Sequence, residues 1–118
     1  MGWTPLATET HNTTQYSSRG YPTNLIVLHH GATTSADQII QMMVTGSRQV
    51  SSHAVVKDAR IAGVVQEQFR AWSLSSAEFD GRAFTVECAN ESTNGWTISA
   101  ASQESLARLV ADWSTRYG

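Results

Sequence analysis

The run Leu25–Leu28, LIVL, constrains this 118-residue chain more than any other feature. Four consecutive branched apolar residues with no polar alternation suit a strand covered on both faces. Phe84–Cys88 reads as a second buried strand. The chain therefore needs a sheet with a layer packed on either side. One domain of this length can bury such a core, with little stability to spare. A hydrophobic content of 41% and a charged content of 15% suit a globular chain and argue against disorder.

The remaining elements follow from periodicity. Residues 1–23 are rich in Thr, Ser, Asn and Gly and read as an extended lead-in, with room for a short edge strand. Ser35 is a suitable N-cap for a helix carrying Ile39, Ile40, Met43 and Val44 on one face, and Gly46 closes it. His53–Lys57 and Arg60–Val65 are two β-rich runs, and Asp58 and Ala59 between them suggest a hairpin of weak turn chemistry. Ser99 is a candidate cap for a last helix, with Leu106, Leu109, Val110, Trp113 and Tyr117 as its apolar stripe. The fold class is α/β: a mixed central β-sheet flanked by helices.

Composition excludes several functions. The formal charge is −2 and no Lys/Arg-rich block occurs, so nucleic acid is a poor partner. No apolar run approaches the roughly 20 residues that span a membrane, and the polar N-terminus does not read as a secretory signal. The single cysteine, Cys88, lies in the apolar run Ala83–Ala89, where an inert buried thiol is the favoured reading.

Few residues are placed for chemistry. His29 and His30 sit where a buried strand ends, a position from which a side chain reaches a cleft while the sheet fixes its backbone. A metal ligand and an ordinary polar role are both open there. Period-two alternation puts Thr85, Glu87 and Ala89 on one face and Val86 and Cys88 on the other. A carboxylate in such a strand is either paired structurally or raised in pKa for acid/base work. His53 reads first as a buried, hydrogen-bonded histidine, Trp72 as core or groove lining, and Asn90 as part of a turn-forming loop.

Taken in order, the motifs resemble the N-acetylmuramoyl-L-alanine amidases, the Amidase_2 family, whose fold is that of the peptidoglycan recognition proteins. LIVLHHGAT resembles the opening strand that ends in the first zinc-ligand histidine, here His29. SSHAVV resembles the next motif, and IAGVVQEQFRAW the following strand with its Trp. AFTVECAN resembles the strand with the central glutamate, here Glu87, and GWTISAASQESLARLVADWSTRYG the long helix of phage endolysins. The resemblance covers residues 24–118, taken as the N-terminal portion of the catalytic domain.

The resemblance implies a zinc-dependent hydrolase that cuts peptidoglycan between N-acetylmuramic acid and L-alanine. His29 is then the metal ligand and Glu87 the catalytic acid/base, close to the His29 ring. Trp72, His53 and Asn90 are the expected substrate contacts. Three positions depart from the pattern. Ser73 stands where a His is usual after the Trp. Ser52 stands where some phage members carry a catalytic Tyr, which shifts the burden to Glu87. The family's remaining zinc ligands, a His and then a Cys or Asp, follow the long helix, and this sequence ends at Tyr117–Gly118. His11, His30, His53 and Cys88 are not promoted to replace them. The domain is accordingly expected to be incomplete at its C-terminus. A second polypeptide, a missing segment or a self-association surface would complete the site, at an exposed apolar or sheet-edge surface near His29. A non-catalytic peptidoglycan-binding module and a regulatory or assembly subunit are the alternatives. The expected location is the host cytoplasm until release to the cell wall.

Overall fold

The computed structural model describes residues 2–118. In chain order the elements are β1 (Glu9–Thr10), β2 (Tyr16–Ser18), β3 (Leu25–His30), α1 (Ala36–Thr45), β4 (Ala54–Lys57), β5 (Arg60–Gly63), β6 (Phe69–Ala71), α2 (Ala77–Arg82), β7 (Ala83–Cys88) and α3 (Ala100–Tyr117). Five strands form one sheet in the order β1-β5-β4-β7-β3, and β2 pairs with β6 in a separate two-stranded ribbon. The β4–β5 pair is antiparallel, whereas β3 and β4 both run parallel to β7, so the sheet is mixed as expected.

Alternation along the strands makes two cores. Val56, Ile61, Phe84, Val86 and Cys88 pack under α3 through Leu106, Leu109 and Trp113. Val55, Ala62, Val64 and Ala89 pack under α1 through Ile39, Ile40 and Met43. The helix signals hold. Ser35 Oγ accepts the Gln38 N–H at 3.1 Å, Gly46 closes α1 at φ 73°, and Ser99 Oγ accepts the Ser102 N–H at 3.0 Å.

The weak β4–β5 turn is held from outside. Asp58 adopts φ 52°, and its amide donates to Ser102 Oγ at 2.7 Å. Ser99 Oγ donates to the Asp58 carboxylate at 2.5 Å, and Ser105 Oγ to the Asp58 carbonyl at 2.6 Å. The start of α3 thus supplies what the turn residues lack. Its end is fixed too, because Trp113 Nε1 and Arg116 Nη2 both donate to buried Glu67.

The lead-in belongs to this body. It contributes β1, parallel to β5, and β2, antiparallel to β6. The run expected through Val65 as one strand leaves the β4–β5 ladder at Gly63. The Val64 and Val65 amides then donate to the carbonyls of His53 and Ser52. Among the described residues strand β3 is bonded on one side alone, to β7, and Leu25 and Leu28 on it are 37% and 48% exposed. Among the described residues no helix is long and apolar enough to cross a membrane.

Candidate active site

Parallel register decides which side chains meet. His29 lies opposite Glu87 across the β3–β7 pair, so both point from the same face at the same height. His29 Nδ1 stands 3.2 Å from Glu87 Oε1. The Glu87 side chain is 21% exposed and that of His29 40%. Burial pushes the Glu87 carboxyl above the usual carboxylate range, and the neighbouring His29 and His30 oppose that rise. The chain then turns away at Gly31, whose amide donates to the Cys88 carbonyl at 2.7 Å. A Cβ at Gly31 would run into the Ile39 side chain, so glycine lets α1 close on the strand end.

A cavity of about 240 Å³ opens beside Glu87, with His30, Met43, Arg48, Ser51 and Ser73 on its walls. A second cavity, of about 380 Å³, shares Val50 and Ser73 with the first and extends past Arg70, Trp72 and Asp80. The two adjoin at Val50 and Ser73 as one groove with Glu87 on its wall. Trp72 lines it with its indole fixed, since Nε1 donates to Ser17 Oγ at 2.8 Å and its amide donates to Ser51 Oγ at 2.9 Å. Ser73 Oγ donates to the Ser51 carbonyl and lies 2.9 Å from Thr85 Oγ1. A separate apolar hollow of about 270 Å³ lies between Asn24–Ile26 and the Trp113–Tyr117 end of α3, with neither His29 nor Glu87 on its walls.

His53 does not reach the groove, which corrects its expected place among the substrate contacts. Its ring is wholly buried, accepting the Thr85 N–H at Nδ1 (3.1 Å) and facing the Phe69 carbonyl from Nε2 (2.8 Å). Burial pushes its pKa down to about 3, helped by the Arg19 charge and opposed by the Phe69 carbonyl. It is a neutral internal tie. Asn90 is likewise fully buried, so its contact with substrate is corrected as well: Nδ2 donates to the Trp96 carbonyl at 2.7 Å, and Oδ1 lies 3.4 Å from His30 Nδ1. Ser52 is buried and donates to the Ala54 carbonyl at 2.7 Å. Cys88 faces the α3 core, where burial pushes its thiol up. His11 is bound to Glu9 at 2.6 Å.

Among the described residues no group of three His, Cys, Asp or Glu side chains is arranged to hold a metal. A catalytic zinc takes about three protein ligands and a water. The His29–Glu87 pair offers two donors, so zinc does not fit the described residues by themselves. Sequence reasoning passed over Arg48, Ser51 and Arg70. They lie in polar segments with no local pattern, and the packing of α1, β4 and β6 alone brings them together.

A family model described as N-acetylmuramoyl-L-alanine amidase matches residues 19–118. No curated protein gives a significant match. Solved structures give the same fold. A selenomethionine derivative of AmpD superposes with a TM-score of 0.76 at 20% identity, over 98% of this chain and 78% of that one. A point mutant of PlyL gives 0.70 at 17% identity, over 86% of this chain and 64% of PlyL. A mutant endolysin from Bacillus subtilis gives 0.72 at 13% identity, over 92% and 76%. The chain thus spans between about two thirds and four fifths of these three structures.

Proposed function

The chain belongs to the N-acetylmuramoyl-L-alanine amidase family, and from that premise we propose that it is a peptidoglycan hydrolase acting on the amide between N-acetylmuramic acid and L-alanine. The observation that carries this reading is the His29–Glu87 pair, 3.2 Å apart, with Glu87 on the wall of a groove. Amide hydrolysis needs one group that takes a proton from water and gives one to the leaving nitrogen. Glu87 has the access for this, and burial raises its pKa toward that task. His29 holds the carboxylate in place from the next strand. The groove running past Ser73 to Trp72 has room for a peptide, with the indole as a flat wall.

Were the lacking ligands supplied, a zinc ion held by His29 would polarise the amide carbonyl. His29 is the ligand this chain offers, and the other ligands would have to come from beyond the described residues. The open side of β3 is the natural place for a further strand, from a second polypeptide or a segment outside residues 2–118, because that edge is unpaired among the described residues and carries exposed Leu25 and Leu28. The resemblance to an endolysin fold supports a role in wall lysis after release from the host cytoplasm. The shortage of metal donors favours one other reading, a module that holds peptidoglycan without cutting it.

The test is to incubate the protein with zinc and purified cell wall and identify the released fragments by mass spectrometry. Peptides with a free L-alanine amine support the hydrolase. Tight wall binding without such release, by wild type and Glu87→Gln alike, supports the binding module instead.

A further inference from the structure

We propose that Asn94 is a self-modification site, where the Gly95 amide nitrogen closes on the Asn94 side-chain carbonyl carbon, ammonia leaves, and water opens the resulting imide to aspartate or isoaspartate. The isoaspartate form then loosens the loop that anchors buried Asn90. The step is a displacement followed by a hydrolysis. The Gly95 N–H proton leaves with the NH2 group as ammonia, one water is consumed, and nothing is oxidised or reduced. The five-membered ring closes readily only where the following amide is unshielded. The chain has four asparagines, followed by Thr13, Leu25, Glu91 and Gly95. Only Gly95 brings no side chain against the attack. An aspartate before glycine can form the same imide, and Asp80–Gly81 is the chain's one such pair.

The fold separates these two pairs. Asp80 is 5% exposed, and its Oδ1 is held by the Ser73 and Leu74 amides at 3.2 and 2.8 Å. It lies in α2, whose helical dihedrals are not those of an imide ring, and Gly81 is packed against the Arg19 carbonyl. Asn94 and Gly95 are both exposed, in the loop between β7 and α3. The Asn94 amide N–H donates to Ser92 Oγ at 3.0 Å, but its side chain has no hydrogen-bond partner among the described residues. Nor does any acceptor among them take the Gly95 N–H. A Cβ built at Gly95 would meet only Thr97 Cγ2, at 3.9 Å, so nothing crowds the reacting atoms.

The same loop is tied across its base. Asn90 Nδ2 donates to the Trp96 carbonyl at 2.7 Å, and the Glu91 amide donates to the Thr97 carbonyl at 2.9 Å. Thr97 Oγ1 donates to the Glu91 carboxylate at 3.0 Å. Trp96 stands at φ 53°, a left-handed conformation that is strained for a bulky side chain. These ties, not local preference, therefore hold the loop. Isoaspartate routes the main chain through the Asn94 side-chain methylene, so the segment between the ties grows by one bond. It also leaves a carboxylate in a loop that already carries Glu91. Both changes pull the Trp96 and Thr97 carbonyls from their donors, and a buried Asn90 amide without its acceptor is costly.

The experiment incubates the full chain at mildly alkaline pH beside a synthetic peptide of residues 91–98, and follows both by proteolytic mapping and mass spectrometry. The fragment carrying Asn94 should gain the mass of OH in place of NH2 at a rate comparable to that of the free peptide. Asn12, Asn24, Asn90 and Asp80 should stay intact. Asn94→Gln, which would have to close a larger ring, should lose the reaction. The isoaspartate form, separated by ion exchange, should melt at lower temperature and exchange its Glu91 amide several-fold faster than fresh protein. Freshly purified Asn94→Asp carries the charge without the longer main chain and should keep most of that protection. An Asn94 that stays unchanged in the folded chain while the peptide reacts overturns the inference. So does an isoaspartate form whose Glu91 exchange and melting match fresh protein. Neither measurement uses wall cleavage, so the hydrolase reading is tested separately.

Discussion

Glu67 and Glu87 are both carboxylates set into the body of the fold, and the protein treats them in opposite ways. Glu67 is 3% exposed, and both of its oxygens are filled. Oε2 accepts Trp113 Nε1 at 2.5 Å and Arg116 Nη2 at 2.6 Å, while Oε1 accepts Arg116 Nη1 at 3.0 Å and the Tyr117 hydroxyl at 3.3 Å. Glu87 is 21% exposed and meets one imidazole nitrogen at 3.2 Å beside an open cavity. A carboxylate with every lone pair occupied is a fastener, and it holds the end of α3 to the loop after β5. One left partly unsatisfied at a groove is free to exchange a proton. The contrast separates structure from chemistry better than burial alone.

The largest effect that tests this contrast is on rate. Glu87→Gln should lower amide cleavage by about 10²–10⁴-fold, the usual contribution of a general acid/base. The same change should move folding stability by no more than about 1 kcal/mol, because the amide keeps the shape of the side chain. Cleavage rates set beside denaturant melts check both halves, and wild-type turnover by Glu87→Gln would remove Glu87 from the reaction.

Glu67→Ala should do the reverse. Removing the carboxylate leaves the buried Trp113 N–H without its acceptor and Arg116, a third exposed, with Asp112 alone, at a cost of about 1–3 kcal/mol. Equilibrium unfolding should report that loss. Cleavage per folded molecule should stay near wild type, since no Glu67 contact reaches the groove. A Glu67→Ala protein that is stable but inactive would collapse the distinction.

Sequence reading saw one of these glutamates and passed over the other. Glu87 stands out because alternation in TVEC places a charge where apolar neighbours predict burial. Glu67 lies in the polar stretch QEQF, which looks solvated, and its burial depends on Trp113 and Arg116 returning from the far end of the chain. The same division runs through the fold. Strands β3, β4, β5 and β7 and helices α1 and α3 carry enough apolar periodicity to be legible. Strand β6 is three residues long, and α2 leaves Phe79 53% exposed, so neither has a local signature. At the candidate site, sequence alone singled out His29, Glu87 and Trp72. Arg48 and Arg70 escaped it, because only the packed loops bring them to neighbouring cavities.

His53 extends the comparison to histidines. His29 is partly exposed beside a carboxylate, whereas His53 is sealed inside with a pKa pushed down to about 3 from an ordinary 6.5. The unfolded chain therefore takes up this proton first. The stabilising effect of keeping His53 neutral is complete above pH 6.5 and is lost progressively as pH falls toward 3. Melts across that range should decline with acid in wild type, and less steeply in His53→Gln if that variant folds. An equal decline in both would assign the acid sensitivity to other groups.

The smallest expected effect lies at the sheet's far edge, where the lead-in is clamped. Glu9 of β1 accepts Arg60 Nε at 2.5 Å and Nη2 at 3.0 Å, with His11 at 2.6 Å and Asp37 on the other side of Arg60 at 2.8 Å. The Arg60 hydrogen bond holds the Glu9 carboxyl at about 2. Its contribution is therefore present above the ordinary 4.5 and is lost as pH falls through about 2. Unlike Glu67, these groups are about a third exposed, so water and salt screen the pair. Arg60→Ala should cost about 1 kcal/mol or less, and the loss should shrink in high salt. Hydrogen exchange gives the sharper measurement: the Thr8 and His11 amides, which donate to the Ile61 and Gly63 carbonyls, should exchange faster in Arg60→Ala while those of β7 do not. If β7 loosens equally, the clamp is part of the cooperative core, and this exposed carboxylate belongs with Glu67.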